Sequence, residues 1–120
     1  MTRARIALGK TGEDLACAEL EKRGYEIIAR RHRTRSGEID IIAKDGPTWV
    51  FVEVKARDSH AFGNAAEAVT WQKQQRIVRL ASEYVMRHHC NDSPCRFDVV
   101  SIHFDDGRAV IEVYQNAFHA

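Results

Sequence analysis

The amino-acid sequence predicts an α/β fold in which helices flank one mixed β-sheet. Residues 37–44 and 49–57 each alternate polar with apolar side chains, a pattern typical of β-strands. Residues 70–89 instead carry apolar side chains at the spacing of an amphipathic helix. The length of 120 residues fits a single domain, 1–120 with its core at about residues 9–118, and leaves no room for a second core.

The first half of the chain is predicted to form one helix and three strands. Thr11 can cap a helix that runs to about Arg23, with Glu13 in its first turn near the positive end of the helix dipole. Gly24 then acts as a helix stop. The strands that follow are predicted at residues 25–31, 37–44 and 49–57, and the turn sequence Asp45-Gly46-Pro47-Thr48 joins the last two.

The second half is predicted to form a helix and a hairpin. The helix begins at Thr70 and runs to about His89. Strands at residues 96–104 and 108–114 then pair across Asp105-Asp106-Gly107. The complete order is α-β-β-β-α-β-β, which favours one mixed sheet with helices packed on it.

Composition excludes several classes of protein. Apolar residues make up 44% and charged residues 29%, which argues against a disordered chain. No apolar run approaches the ~18 residues that a membrane-spanning helix needs, and no secretory signal is recognisable, so we expect a cytoplasmic protein without membrane contact. Three cysteines exclude a closed disulfide framework. The net charge of +1 argues, at first sight, against a strongly basic nucleic-acid binder.

The strongest chemical signal lies in the hairpin formed by residues 37–57. A tight turn at residues 45–48 places Asp40 opposite Glu53 and Glu38 opposite Lys55. Two opposed carboxylates repel unless a positive charge lies between them. A divalent cation is the natural solution, because Mg²⁺ favours a few carboxylate oxygens together with water and a substrate phosphate.

This carboxylate pair and the nearby lysine suit metal-assisted hydrolysis of a phosphodiester. The cation would polarise the phosphoryl group and lower the pKa of water, while Lys55 would reach a phosphate or the attacking water. The alternative is an ordinary solvated sheet face, in which Glu38 and Lys55 form a surface ion pair worth less than ~1 kcal/mol.

Two further charged residues are predicted to face the protein interior. Glu13 projects onto the apolar face of the first helix, although stabilisation of the helix dipole is an alternative role. Lys73 falls on the apolar seam of the second helix, where it is either a second cation near the site or a lysine whose stem covers apolar surface.

Basic residues are clustered despite the small net charge. Residues 22–35 contain six lysines and arginines and one acid, a local balance of +5. Arginines and glutamines also share one face of the second helix, an arrangement that suits phosphate contacts, although such faces are usually only solvated. The candidate nucleic-acid contacts are Arg30, Arg31, Arg33, Arg35, Arg57, Lys73, Arg76 and Arg79.

Four segments together resemble the YraN-like family of small bacterial proteins. They are Gly37–Ala43, Val50–Arg57, Phe62–Val69 and Arg96–Val100, and the resemblance extends from about Gly9 to Phe118. That family is similar to the PD-(D/E)XK nucleases, and to Holliday-junction resolvases in particular.

The resemblance implies a restriction-endonuclease-like αβββαβ core and a set of site residues. It places Asp40 and Glu53 as metal ligands, Lys55 as the catalytic lysine and Glu13 as the first-helix glutamate of resolvase-like members, a third carboxylate that we expect at the metal. The proline of the superfamily name is replaced by Ile39.

Three hypotheses of function follow. The first is a Mg²⁺- or Mn²⁺-dependent endonuclease that acts on branched or structured DNA through Glu13, Asp40, Glu53 and Lys55; by analogy, a resolvase-like role favours a homodimer. The second is a nucleic-acid-binding module of the same fold without catalysis, whose affinity for DNA would fall steeply with salt. A scaffold or dimerisation domain that binds no nucleic acid is a weaker third possibility, since it needs an exposed apolar patch.

Overall fold

One mixed β-sheet forms the centre of the structure, which is a computed structural model. It describes the backbone of residues 3–57 and 69–120 and the side chains of residues 11–56 and 69–120. The helices and strands occur in the predicted order: α1 (Arg3–Lys22), β1 (Glu26–Thr34), β2 (Gly37–Asp45), β3 (Thr48–Arg57), α2 (Trp71–Arg87), β4 (Cys95–Asp105) and β5 (Arg108–Phe118). None of the helices in these residues is long and apolar enough to cross a membrane. The segment Phe62–Ala68, which contributed to the family resemblance, lies outside the described residues.

The strands are arranged in the sheet in chain order, β1-β2-β3-β4-β5. Only the β3–β4 pair is parallel, and the other neighbours are antiparallel. Parallel neighbours require a crossover connection, and α2 lies in that connection. The structure therefore confirms the predicted α/β class, with one mixed sheet flanked by helices, and is consistent with a restriction-endonuclease-like αβββαβ core.

Each face of the sheet has its own helix and core. Helix α1 buries Ala16, Cys17 and Leu20 against one face. Helix α2 covers the other face, as its apolar seam predicted, with Ile77, Leu80, Ala81 and Tyr84 buried. The sheet is thus enclosed on both sides, and polar groups buried beneath either helix need partners within the protein.

Helix α1 begins earlier than predicted. It starts at Arg3, so Thr11 is an interior residue rather than a cap, and Glu13 does not lie in the first turn. Residues 3–10 contain no proline and are mostly good helix formers, so nothing stops the helix before Thr11. The dipole role considered for Glu13 is therefore wrong.

The end of α1 confirms the predicted stop at Gly24. This glycine has φ = +94°, a conformation that glycine adopts without a steric penalty. The amide N–H of Tyr25 donates to the carbonyl of Leu20 at 2.9 Å, and that of Gly24 to the carbonyl of Glu21 at 3.0 Å. This pair of bonds is a Schellman cap, and it turns the chain directly into β1.

The other predicted boundaries are close to those observed. Thr70 caps α2 by accepting a hydrogen bond from the Lys73 amide at 3.2 Å. The final hairpin turns at Asp106 and Gly107, both at positive φ, as a two-residue Asp-Gly turn requires. Strand β5 runs past its predicted end at Tyr114 because Phe118 still pairs with β4 and packs in the α2-side core.

Replacing Gly12 by alanine is expected to destabilise the protein by about 1–3 kcal/mol, because the added methyl overpacks the contact between α1 and β3. A Cβ at this position would lie 2.7 Å from the Ala56 Cβ. The clash outweighs the gain of roughly 0.5–1 kcal/mol in helix propensity. Urea denaturation measures the loss, and Ala56→Gly in the same chain should restore part of it. A Gly12→Ala variant as stable as the parent would show that the helix shifts at no cost.

Candidate functional site

The β2–β3 hairpin has the predicted register, with Asp45 opposite Thr48 and Ile41 opposite Val52. The backbone ladder stops at that last pair. One residue further, the Asp40 carboxylate takes over, and its Oδ2 accepts the amide N–H of Val54 at 2.8 Å. Asp40 and Glu53 therefore lie at the point where the two strands part.

The predicted pairing of Glu38 with Lys55 is not found. Glu38 instead lies opposite Arg33 of β1, and the Arg33 Nε is 3.3 Å from Glu38 Oε2. The reason is the separation of β2 from β3 beyond Ile41, which leaves β1 as the remaining neighbour of this part of β2. Lys55 stays half-buried, two residues beyond Glu53 on the same face of β3.

Strand β2 also breaks the predicted alternation at Asp40. Ile39 and Ile42 both pack in the core beneath α2, whereas Ile41 packs in the core beneath α1. Placing Ile39 and Ile41 on one face was therefore wrong. Within the fully described strands β1, β2 and β3, Asp40 has no paired residue in either neighbouring ladder, so the backbone is irregular where the carboxylate projects.

Helix α2 contributes a cation to the carboxylate pair. The Lys73 Nζ lies 2.6 Å from Oε1 of Glu53, whose side chain is only 4% exposed. The position of Lys73 on the apolar seam, one turn before Ile77, directs it at the sheet. The structure thus brings together Asp40, Glu53 and Lys73, three residues that the sequence placed on three separate elements.

The electrostatics of the pair show a shortage of positive charge. Burial and the neighbouring Glu53 carboxylate raise the pKa of Asp40 to about 7, against the opposing effects of the Val54 amide and Lys73. Near neutral pH the two carboxylates therefore retain a proton between them for part of the time. A divalent cation would replace that proton, so the donor set fits Mg²⁺ or Mn²⁺ held by two carboxylates, water and a substrate phosphate.

Glu13 does not join this pair. Its carboxylate lies between two arginines of β1, with Oε1 3.1 Å from the Arg30 Nε and Oε2 3.0 Å from the Arg31 Nε. In the part of the chain that the structure describes, no three acidic, histidine or cysteine side chains come together as a group that could hold a metal ion. The predicted convergence of three carboxylates is thus reduced to two, because Glu13 pairs with the arginines of β1 instead.

Further arginines predicted to contact nucleic acid are exposed on the β1–β2 hairpin and on α2, which contact each other. The tip of the β1–β2 hairpin packs beside α2: a Cβ on Gly37 would lie 3.2 Å from the Arg76 Cδ, and Ser36 donates to Glu83 at 3.4 Å. We call the exposed residues around this contact the basic ridge: Arg33, Arg35, Arg76 and Arg79. Two basic clusters that are distant in sequence therefore lie on elements that contact each other. The side chain of Arg57 lies outside the described residues.

One buried polar group was not recognised as such from the sequence. Asp98 is completely buried, and its two oxygens accept from the Arg96 guanidinium at 2.9 and 3.0 Å. The Tyr25 hydroxyl also donates to it at 2.9 Å. An acidic residue inside the apolar strand Phe97–Ile102 was the signal that could have revealed it, since such a charge requires partners. This cluster ties β4 to the beginning of β1.

Comparisons with known proteins decide the family. The model of the family described as "Uncharacterised protein family UPF0102" matches residues 12–102, more than half of the chain. The chain belongs to the UPF0102 family. This is the YraN-like family that the four sequence segments predicted, so that prediction is confirmed.

Curated UPF0102 proteins resemble the chain over nearly its whole length. A UPF0102 protein of Symbiobacterium thermophilum is 52% identical over 114 residues, which cover 94% of this chain and 97% of the relative. A UPF0102 protein of Rhodococcus opacus is 47% identical over 94% of this chain and 97% of its own length. One of Anaeromyxobacter dehalogenans is 44% identical over 95% and 85%, respectively. The names of these relatives state no activity, so the chemistry has to be argued from the site.

Proposed function

We propose that this UPF0102 protein is a Mg²⁺- or Mn²⁺-dependent endonuclease that hydrolyses DNA phosphodiesters. The observation that carries the proposal is the Asp40–Glu53 pair, in which Glu53 is buried and Asp40 half-buried where β2 and β3 part, and which is one positive charge short. Lys55 lies two residues beyond Glu53 on the same face of β3 and supplies a further cation on that strand. Two carboxylates and a lysine on adjacent strands are the groups that metal-assisted phosphoryl hydrolysis needs.

Each side chain has a separable role in this proposal. The Asp40 and Glu53 carboxylates would hold the cation, whose chemistry is to polarise the phosphoryl group and lower the pKa of water. Lys55 would bind a non-bridging phosphoryl oxygen or orient the attacking water through its Nζ. Lys73 neutralises Glu53 at 2.6 Å and would be free to bind a substrate phosphate if a cation took its place.

The basic ridge supports a polyanionic substrate. Arg33, Arg35, Arg76 and Arg79 are exposed on the β1–β2 hairpin and on α2, the two elements that adjoin the carboxylate pair. Backbone phosphates held there would position a DNA strand without reading its sequence. The resemblance to resolvases implies branched or structured DNA as the substrate. Contacts to backbone phosphates suit such a substrate, because they depend on the shape of the DNA and not on its sequence.

Replacing Glu53 by glutamine is expected to reduce Mn²⁺-dependent cleavage by at least about 100-fold, because the loss of a metal ligand removes several kcal/mol of transition-state stabilisation. The assay compares four-way-junction, duplex and single-stranded DNA with Mg²⁺, with Mn²⁺ and with EDTA. Glu38→Gln is the matched control, since Glu38 pairs with Arg33 away from the metal ligands and should leave the rate unchanged. Equal cleavage by the parent and Glu53→Gln would assign the activity to a contaminant and end the proposal.

A nucleic-acid-binding module without catalysis is the second candidate. The observation that favours it is the Lys73–Glu53 ion pair, which neutralises one carboxylate without any metal and leaves the basic ridge free to bind phosphates. It predicts salt-sensitive binding of DNA in EDTA together with no cleavage in either metal. The same set of reactions therefore separates the two functions.

A further inference from the structure

The first-helix glutamate is committed to arginines rather than directed at the metal ligands. Glu13 is 7% exposed, and each of its two oxygens accepts a hydrogen bond from the Nε of a different arginine, Arg30 at 3.1 Å and Arg31 at 3.0 Å. The two arginines balance the charge of this buried carboxylate, so it needs no metal ion to neutralise it. Its visible role is to fix the position of two guanidinium groups.

The backbone of β1 is distorted at the same place. Successive side chains of a regular strand point to opposite faces, yet Arg30 and Arg31 both reach the same carboxylate. The structure achieves this with φ = +50° at Arg31, a left-handed conformation that is costly for a residue other than glycine. Strain of this kind clusters at functional sites. The distortion brings two consecutive arginines to one side of the sheet.

The two guanidinium groups keep donors available for a ligand. Each uses its Nε for Glu13, and Arg30 gives one terminal nitrogen to Asp14. Within the described residues, the terminal nitrogens of Arg31 donate no hydrogen bond, and the Arg31 side chain is 48% exposed. A guanidinium held by its Nε with free terminal N–H groups is preorganised to bind a phosphate oxygen pair.

We infer that Glu13 is a positioning residue for an arginine pair, Arg30 and Arg31, that binds a backbone phosphate of the nucleic acid. This inference rests on the proposed function for the nature of the ligand, a phosphodiester. It gives the resolvase-type glutamate a different task from the one that the resemblance implies. The phosphate held here would lie on the β1 side of the molecule, in addition to those held by the basic ridge.

The test measures DNA affinity without metal. Fluorescence anisotropy with a labelled DNA four-way junction in EDTA compares the parent with Glu13→Gln and Glu19→Gln. Glu19 is the matched control, a glutamate of the same helix that pairs with Arg23. Both variants lose one negative charge, so electrostatics alone would strengthen DNA binding in each. We expect Glu19→Gln to bind at least as tightly as the parent and Glu13→Gln to bind about 10-fold more weakly, because its arginines are no longer fixed.

A second variant keeps the test decisive if Glu13→Gln does not fold. Arg31→Lys retains the exposed positive charge and loses the planar fork, so the same loss of roughly 10-fold is expected. Arg31→Gln, which also removes the charge, should in addition flatten the slope of log affinity against log salt by about one phosphate, which a purely structural change would not produce. An unchanged affinity for Arg31→Lys, or an unchanged slope for Arg31→Gln, would overturn the inference.

Mn²⁺ binding measured by calorimetry separates this role from metal ligation. We expect Glu13→Gln to bind Mn²⁺ like the parent and Asp40→Asn to bind it much more weakly. A Glu13→Gln variant that loses Mn²⁺ affinity while its DNA affinity in EDTA is unchanged would make Glu13 a metal ligand and refute the positioning role.

The outcomes also separate this inference from the proposed function. If the parent binds the junction and Glu13→Gln binds it weakly, but neither cleaves it, the arginine pair stands and catalysis fails. If the parent cleaves DNA and Glu13→Gln binds it as tightly as the parent, catalysis stands and the arginine pair fails. A parent that does not bind the junction even at low salt also refutes the arginine pair, whatever the cleavage assay shows.

Discussion

Replacing Arg96 by methionine is expected to lower the free energy of unfolding by about 3–5 kcal/mol, since it leaves a buried carboxylate without its countercharge. Asp98 is completely buried and accepts two hydrogen bonds from the Arg96 guanidinium, at 2.9 and 3.0 Å. The Tyr25 hydroxyl and the Asn116 amide, each at 2.9 Å, are neutral donors and cannot replace the lost charge. Urea denaturation at neutral pH measures the loss.

Two companion variants isolate the cause of this effect. Asp45, the other acid bound by Arg96, lies 3.1 Å from its Nη1 with a side chain that is 38% exposed, so Asp45→Asn should cost less than ~1 kcal/mol. Adding Asp98→Asn to Arg96→Met should recover part of the loss, because the neutral side chain needs no countercharge: its oxygen can accept from the Asn116 backbone N–H, and its NH2 can donate to the Tyr25 hydroxyl. If Arg96→Met costs no more than Asp45→Asn, the account of Asp98 as a dependent buried charge is wrong.

Replacing Asp40 by asparagine is expected to stabilise the metal-free protein by about 2–4 kcal/mol at pH 8 and to have little effect at pH 4. Burial and Glu53 raise the pKa of Asp40 from 3.8 to about 7, so between these values the folded protein holds more protons than the unfolded chain. Stability of the parent therefore falls as pH rises from about 4 to 7 and stays reduced above 7. Asparagine imitates the protonated carboxyl and removes this dependence, while its oxygen can still accept the Val54 N–H.

Urea denaturation in EDTA at a series of pH values checks this result. Glu38→Gln is the control on the same strand, where Glu38 is paired with Arg33, and it should follow the pH dependence of the parent. Adding Mn²⁺ at pH 8 should stabilise the parent and leave Asp40→Asn unchanged, since the cation is proposed to replace the missing positive charge. If the free energy of unfolding depends on pH in the same way for the parent and for Asp40→Asn, the close pairing of Asp40 with Glu53 is contradicted.

The local parts of the fold and site were predictable because they depend on short-range patterns. A two-residue turn after Asp45 and alternating apolar residues were enough to specify the β2–β3 register that brings Asp40 beside Glu53. The helical spacing of Lys73 relative to Ile77 was likewise enough to direct it at the sheet. Both predictions depend on apolar residues that recur at a fixed period along a strand or a helix, and this periodicity can be read from the sequence.

The features that escaped prediction are departures from that periodicity. The left-handed backbone conformation at Arg31 occurs without a glycine, so no residue type in the sequence indicates it. This conformation lets Arg31 as well as Arg30 bind Glu13. The irregular backbone at Asp40 moves Ile39 to the other core and cannot be read from an alternating pattern. The pairing of Asp98 with Arg96 and Tyr25 depends on contacts across the sheet, which spacing along one strand does not reveal.

The hydrogen bond from the Val54 amide to the Asp40 carboxylate makes the backbone a reporter of the state of the site. In an ordinary ladder this N–H would bond a carbonyl that does not titrate, but here its acceptor gains or loses a proton, and it would also change if a cation bound as proposed. Val54 is also paired with Val100 in the parallel β3–β4 ladder, so this N–H lies where the two halves of the sheet join. In spectroscopic terms, the amide resonance of Val54 is a label built into the chain, readable without any substitution.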